Sequence, residues 1–126
     1  MTAETTRATA EKLAQLCREN RESEGLDTIY HADAISIEAM EGPGHSREYQ
    51  GLDAIRGKHE WWDGAMEIHS ANLEGPFMHG DDRFAMIFEF DATERESGKR
   101  FEMKEIGIYT VDDHGKIMRE EFYYTM

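Results

Sequence analysis

Three stretches of this chain place carboxylates among greasy neighbours. Glu38 follows Ala34-Ile35-Ser36-Ile37 and precedes Ala39-Met40; Glu105 stands in Met103-Lys104-Glu105-Ile106-Gly107-Ile108-Tyr109; Glu120 and Glu121 precede Phe122-Tyr123-Tyr124. A carboxylate stripped of water has its pKa pushed up, which fits it to give or take a proton near neutral pH. In a regular strand Glu105, Gly107 and Tyr109 face one way. Glu105 is thus a candidate pocket carboxylate working with Tyr109 or a ligand; the competing arrangement is a cross-strand pair with Lys116 or Arg119. For Glu38 the competing arrangement is an exposed strand end or a salt bridge. Adjacent residues on a strand face opposite sides, so only one of Glu120 and Glu121 turns inward. Glu120 shares a side with Met118, Phe122 and Tyr124, and Glu121 with Ile117, Arg119 and Tyr123; a single bulge would exchange them.

Around these acids stand candidate ligand contacts. Trp61 and Trp62 near the end of a helix offer flat faces for stacking, although one of two such rings is expected in the core. Phe84, Met86, Phe88 and Phe90 alternate along one strand face as a core stripe whose edge, at Phe88, borders a pocket. Phe122 and Tyr124 extend that wall, with Tyr109 or Tyr124 as proton donor. Of the histidines, His69 opens a strand and joins the candidate contacts, while His31 and His59 lie on or beside helices. No His-x-x-x-His or Glu-x-x-His spacing, phosphate loop or nucleophile elbow is found, so neither a metal nor a cofactor is expected.

The elements that must position these groups are legible from periodicity. Thr2–Ser23 predicts a helix, with Ala8, Leu13, Leu16 and Cys17 on one face and Thr2 or Thr5 as cap. Gly25 ends it, and Leu26–His31 predicts a short second helix. Ala34–Met40 alternates as a strand before the Gly42-Pro43-Gly44 break. Leu52–Gly64 predicts a third helix with Ile55, His59 and Trp62 inward. Four strands follow, at Ile68–Glu74, Arg83–Ala92, Lys99–Val111 and Lys116–Tyr124, separated by turn-forming residues that include Asp113-His114-Gly115. Helices first and an antiparallel meander after make an α+β domain, a curved sheet wrapped around helices. Both faces of Arg83–Ala92 are partly apolar, so the outer face predicts a second subunit.

The chain has 126 residues, the size of one domain. Its 27 acidic residues against 14 basic ones give a formal charge of −13, which argues against nucleic acid and anionic membranes as partners. The lone cysteine, Cys17, cannot form an internal disulfide and reads as a buried thiol. No run approaches the ~18 apolar residues of a membrane span and no signal-peptide core opens the chain; the expectation is a cytoplasmic protein.

The element order, with Tyr30-His31-Ala32-Asp33-Ala34 entering the first strand, Gly51-Leu52-Asp53-Ala54-Ile55 opening the third helix and Gly115-Lys116-Ile117 turning into the last strand, resembles the nuclear transport factor 2-like superfamily. Within it the chain is most similar to the SnoaL-like branch, which includes polyketide cyclases, and in outline to ketosteroid isomerases. The resemblance implies a cone-shaped, mostly antiparallel sheet with an internal cavity and dimerisation through the open sheet face. It implies Glu38 at the position of the isomerase base, and Met118, Glu120, Phe122 and Tyr124 inside the cone. The two oxyanion donors of that family do not carry over: their positions fall near Leu13 or Ala14 and on Gly107. A steroid-isomerase mechanism then lacks its dienolate stabilisation. What remains is an apolar ligand bearing a carbonyl or hydroxyl, with Glu38 or Glu105 as base in an isomerase, cyclase or dehydratase, or else a binding or interaction module without catalysis.

Overall fold

A computed structural model describes residues 2–125. Helix α1 (Ala3–Arg18) is capped by Thr2, whose Oγ1 accepts the Thr5 N–H at 3.1 Å, and it buries Thr6, Thr9, Ala10, Leu13, Ala14 and Leu16. It stops before the expected Ser23 because Asn20 adopts a left-handed φ of 57°, a conformation Asn tolerates better than most residues. Helix α2 (Glu22–Thr28) therefore starts earlier than expected, and Gly25 lies inside it. That glycine is a packing residue: a Cβ there would lie 3.4 Å from Leu16 Cδ1.

Strand β1 (Tyr30–Ile37) begins four residues before the expected position and ends before Glu38. A short strand, β2 (Glu48–Gln50), pairs with it and carried no alternation long enough to read. Helix α3 (Leu52–Ala65) is followed by β3 (Met66–His79), β4 (Arg83–Glu94), β5 (Arg100–Val111) and β6 (Ile117–Tyr123). β3 runs on through Gly75–Pro76, a cis peptide, where a break was expected; the register shift between Glu74 and Phe77 absorbs it as a bulge. The β5–β6 turn forms as expected. Asp112 Oδ1 accepts the N–H groups of His114 and Lys116, both at 2.9 Å, and Gly115 supplies the positive φ of 78°.

The sheet order is β2-β1-β6-β5-β4-β3, with β1–β6 parallel and the other pairs antiparallel. α3 lies over the β1–β2 end of the sheet and α1 over β3 and β4 at the other, so the helices cover one face of a twisted, curled sheet. The curled face holds the core of Leu13, Leu26, Tyr30, Ile55, Phe84, Met86, Tyr109 and Ile117. On the opposite face Phe77, Ile106 and Tyr123 are 50%, 42% and 53% exposed. No helix among the described residues is long and apolar enough to cross a membrane.

Candidate functional site

Strand registry builds the site row by row. Ser36 on β1 stands opposite Tyr49 on β2 and Glu120 on β6; Glu120 stands opposite Tyr109 on β5, and Tyr109 opposite Phe84 on β4. All five are buried. The next inward row runs Phe122, Gly107, Met86, and the one beyond it pairs Glu105 with Phe88. Three carboxylates, from the end of β1, from β5 and from β6, therefore converge under one face of α3. Glu120 is the inward member of its pair. Met118, expected inside with it, is 44% exposed while Ile117 is fully buried. An irregularity between Thr110 and Val111 inserts Met118 as an extra residue and reverses the facing of the strand start.

Lys58 of α3 enters this acidic cluster and the sequence reading missed it. Its Nζ donates to Ser36 Oγ at 2.6 Å and to Glu38 Oε2 at 3.2 Å, and lies 3.8 Å from Glu120 Oε1. It also sits 4.7 Å above the Phe122 ring and 5.4 Å from that of Tyr49, distances at which a ring face attracts a cation. The signal was present: Lys58 follows the buried Ile55 by three residues and precedes Trp62 by four, so it lies on their stripe. Tyr30, also missed because it was assigned to a helix, donates its hydroxyl proton to Glu120 Oε2.

The acids differ in how they are satisfied. Glu38 is the salt-bridged alternative realised: Lys58 holds Oε2, and the Tyr124 hydroxyl donates to Oε1 at 3.3 Å. Glu105 has neither hydrogen-bond nor ion-pair partner among the described residues; of its expected partners, Arg119 pairs with Glu121 at 3.0 Å and Lys116 donates to the Thr28 carbonyl. Burial, with the charge of Glu38 next and Lys58 opposing, pushes the Glu105 carboxyl up to about 8. Tyr109, expected to partner Glu105, is a core residue instead, stacked on Phe84 at 4.9 Å and edge-on to Phe122 at 6.1 Å. Burial, then Glu120, drives the hydroxyls of Tyr109 and Tyr30 well above the usual range. Burial also raises Tyr124, lowers His59, and pushes the Cys17 thiol up to about 12.

The remaining candidates divide. Phe88 is in the core and stacks on Phe90 at 6.3 Å, and Trp62, partly buried, tilts on Phe90 at 5.8 Å. Trp61, 46% exposed, walls a depression of about 320 Å³ with His45, Tyr49 and Lys58. Glu121, Phe122 and Tyr124 line a second depression of about 500 Å³. Both are open clefts that flank the cluster, rather than the enclosed cavity the resemblance implies. His69 is exposed, with Nε2 2.7 Å from Thr93 Oγ1 on the neighbouring strand, and belongs to neither depression; its strand, β3, is the sheet edge farthest from β1 and β6. No grouping of three His, Cys, Asp or Glu among the described residues is disposed to hold a metal ion.

A curled, mixed six-stranded sheet closed over by three helices, with acids on its concave side, defines a protein of the nuclear transport factor 2-like class. The model of the SnoaL-like domain matches residues 4–124, and the chain belongs to the SnoaL-like family. It is similar to a candidate SnoaL-like polyketide cyclase of Mesorhizobium loti, with 38% identity, 98% of this chain and 100% of that one covered, and a TM-score of 0.83. A nuclear transport factor 2-like protein of Burkholderia xenovorans shares the fold at 15% identity and TM-score 0.75, covering 99% of this chain and 92% of its own. So does a Mycobacterium tuberculosis protein solved with estradiol-17β-hemisuccinate, at 14% identity and TM-score 0.68, covering 100% and 96%. Comparison with curated proteins gives no match.

Proposed function

We propose that this chain binds a modest apolar molecule carrying a carbonyl or hydroxyl group against the concave face of the sheet, and moves a proton on it without a cofactor. Isomerisation, aldol-type cyclisation and dehydration share that step. The observation carrying the reading is Glu105: a half-buried carboxyl without a hydrogen-bond or ion-pair partner among the described residues, raised to about 8 by burial and by the nearby charge of Glu38. At neutral pH such a group holds its proton and can deliver it, and once emptied it can take one back. Glu38, with both oxygens engaged, is the orienting partner, and Tyr124 spends its proton on Glu38. The steroid-derivative complex of the M. tuberculosis neighbour fits the apolar side of the proposal.

The test is the affinity of a panel of cyclic ketones and alcohols, measured against pH. The wild-type protein should show a change of affinity centred near pH 8, and Glu105→Gln should abolish that change. Unaltered affinity and pH dependence in the variant would remove the reading. A second, non-catalytic reading draws on the exposed Phe77, Ile106 and Tyr123, which suit a self-association surface. Pairing of two copies through that face belongs to both readings, and a single-chain mass in sedimentation would dismiss it.

A further inference from the structure

Two half-satisfied groups face each other inside the cluster. Lys58 has three N–H donors; Ser36 Oγ at 2.6 Å and Glu38 Oε2 at 3.2 Å take two. Across from it, Glu120 is 1% exposed. Its Oε2 accepts the Tyr30 hydroxyl, while Oε1 is buried with no hydrogen-bond partner among the described residues. Lys58 Nζ stands 3.8 Å from that oxygen, close enough for charge attraction and too far for a hydrogen bond. A buried acceptor without a donor is costly, and such orphans in folded proteins ask for a missing partner.

We propose that Lys58 Nζ and Glu120 Oε1, 3.8 Å apart, together recognise a ligand hydroxyl, whose proton is donated to Glu120 Oε1 while its oxygen accepts from Lys58. This rests on the cluster being a ligand site and narrows the ligand's polar group. A ketone or ether oxygen satisfies Lys58 and leaves Glu120 orphaned. An ammonium satisfies Glu120 and meets Lys58 with like charge. Only a group that donates and accepts from one atom completes both sides. Lys58 also lines the depression walled by Trp61 and Tyr49, which places the rest of the ligand, a flat or cyclic apolar body, beside Trp61. Sites that must hydrogen-bond a ligand hydroxyl reject the analogue lacking it far more strongly than apolar pockets reject a missing methylene.

The probes are β-naphthol, its methyl ether and β-methylnaphthalene, titrated into the full chain and followed by amide chemical shifts. The wild-type protein should bind β-naphthol at least ~10-fold more tightly than either analogue, as one hydrogen-bonded pair inside a buried site implies. Glu120→Gln should erase the preference over the methyl ether: the side-chain oxygen stays with the Tyr30 hydroxyl, so the amide NH₂, a donor, turns toward the gap, and a hydroxyl or an ether oxygen accepts from it equally well. Lys58→Met should also weaken β-naphthol, by removing the other half of the pair. Thermal unfolding of each variant shows whether it is folded, and the wild-type comparison decides the matter where one is not. Equal wild-type affinity for all three probes overturns the hydroxyl assignment and leaves the small-molecule reading standing. If the wild-type protein binds none of them, with no shift at Lys58, Glu105 or Glu120, both fall.

Discussion

Glu38, just past the end of β1, and Glu105 on β5 approach one cluster, and what separates them chemically is partnership. Lys58 and Tyr124 engage both oxygens of Glu38, whereas among the described residues Glu105 meets only the fields of its neighbours. Those fields have opposite signs: Glu38 raises the Glu105 carboxyl and Lys58 lowers it. Replacing Glu38 with Gln should therefore move the Glu105 titration midpoint down, and replacing Lys58 with Met should move it up, both read from side-chain carboxyl ¹³C shifts. Two shifts of the same sign would mean that the three groups do not share a site. The carboxylates were legible in the sequence because an acid among Ile, Ala and Met residues breaks the expected pattern. Lys58 was not, because a lysine on an apolar helical stripe reads equally well as a stem lying along the surface with its charge in water. Only the fold shows that this stem points inward.

Elements were legible wherever a local period ran unbroken, and missed where a long-range partner set the boundary. The Phe84-Met86-Phe88-Phe90 face of β4 and the Asp112–Gly115 turn are written in a few consecutive residues. β2 exists because β1 offers it an edge, and three residues cannot announce a period of two. The placement of Met118 inside failed for a similar reason, since a bulge is a property of the β5–β6 pair and not of β6. Gly107 makes the element scale testable. A Cβ there would lie 3.0 Å from Tyr109 Cε2, 3.1 Å from its hydroxyl and 3.2 Å from Phe122 Cε1. The glycine thus leaves room for two rings. Because Tyr109 is pinned against Phe84, Gly107→Ala should destabilise the protein by about 1–3 kcal/mol in denaturant unfolding, the usual cost of overpacking a filled core. A neutral outcome would show that the Tyr109 and Phe122 rings are free to shift.

For the molecule as a whole, the acidic interior has a cost in stability that depends on pH. The folded chain binds the Glu105 proton up to about pH 8, whereas the unfolded chain releases it near 4.5, the ordinary value. Between those limits the native state holds more protons than the unfolded one, so stability from this group falls as pH rises, at a limiting slope of about 1.4 kcal/mol per pH unit. Below the ordinary value both states are protonated and the penalty vanishes; above about 8 both are ionised and it is complete. In denaturant unfolding from pH 5 to 8.5, Glu105→Gln should lack this downward component and become the more stable of the two at the alkaline end. A variant curve parallel to the wild type would place the titrating group elsewhere. The exterior follows a different logic. A formal charge of −13 leaves fold and reaction open, and serves to keep the surface hydrated and to repel anionic partners.

The proton-transfer reading descends from one carboxyl group, Glu105, and its titration is directly observable. In the wild-type protein, with glutamate side-chain carboxyls followed by ¹³C NMR and Glu105 assigned by its loss in Glu105→Gln, the midpoint should fall near 8. A midpoint in the ordinary glutamate range near 4.5 would contradict the account, leaving a SnoaL-like fold with no reactive acid at its centre.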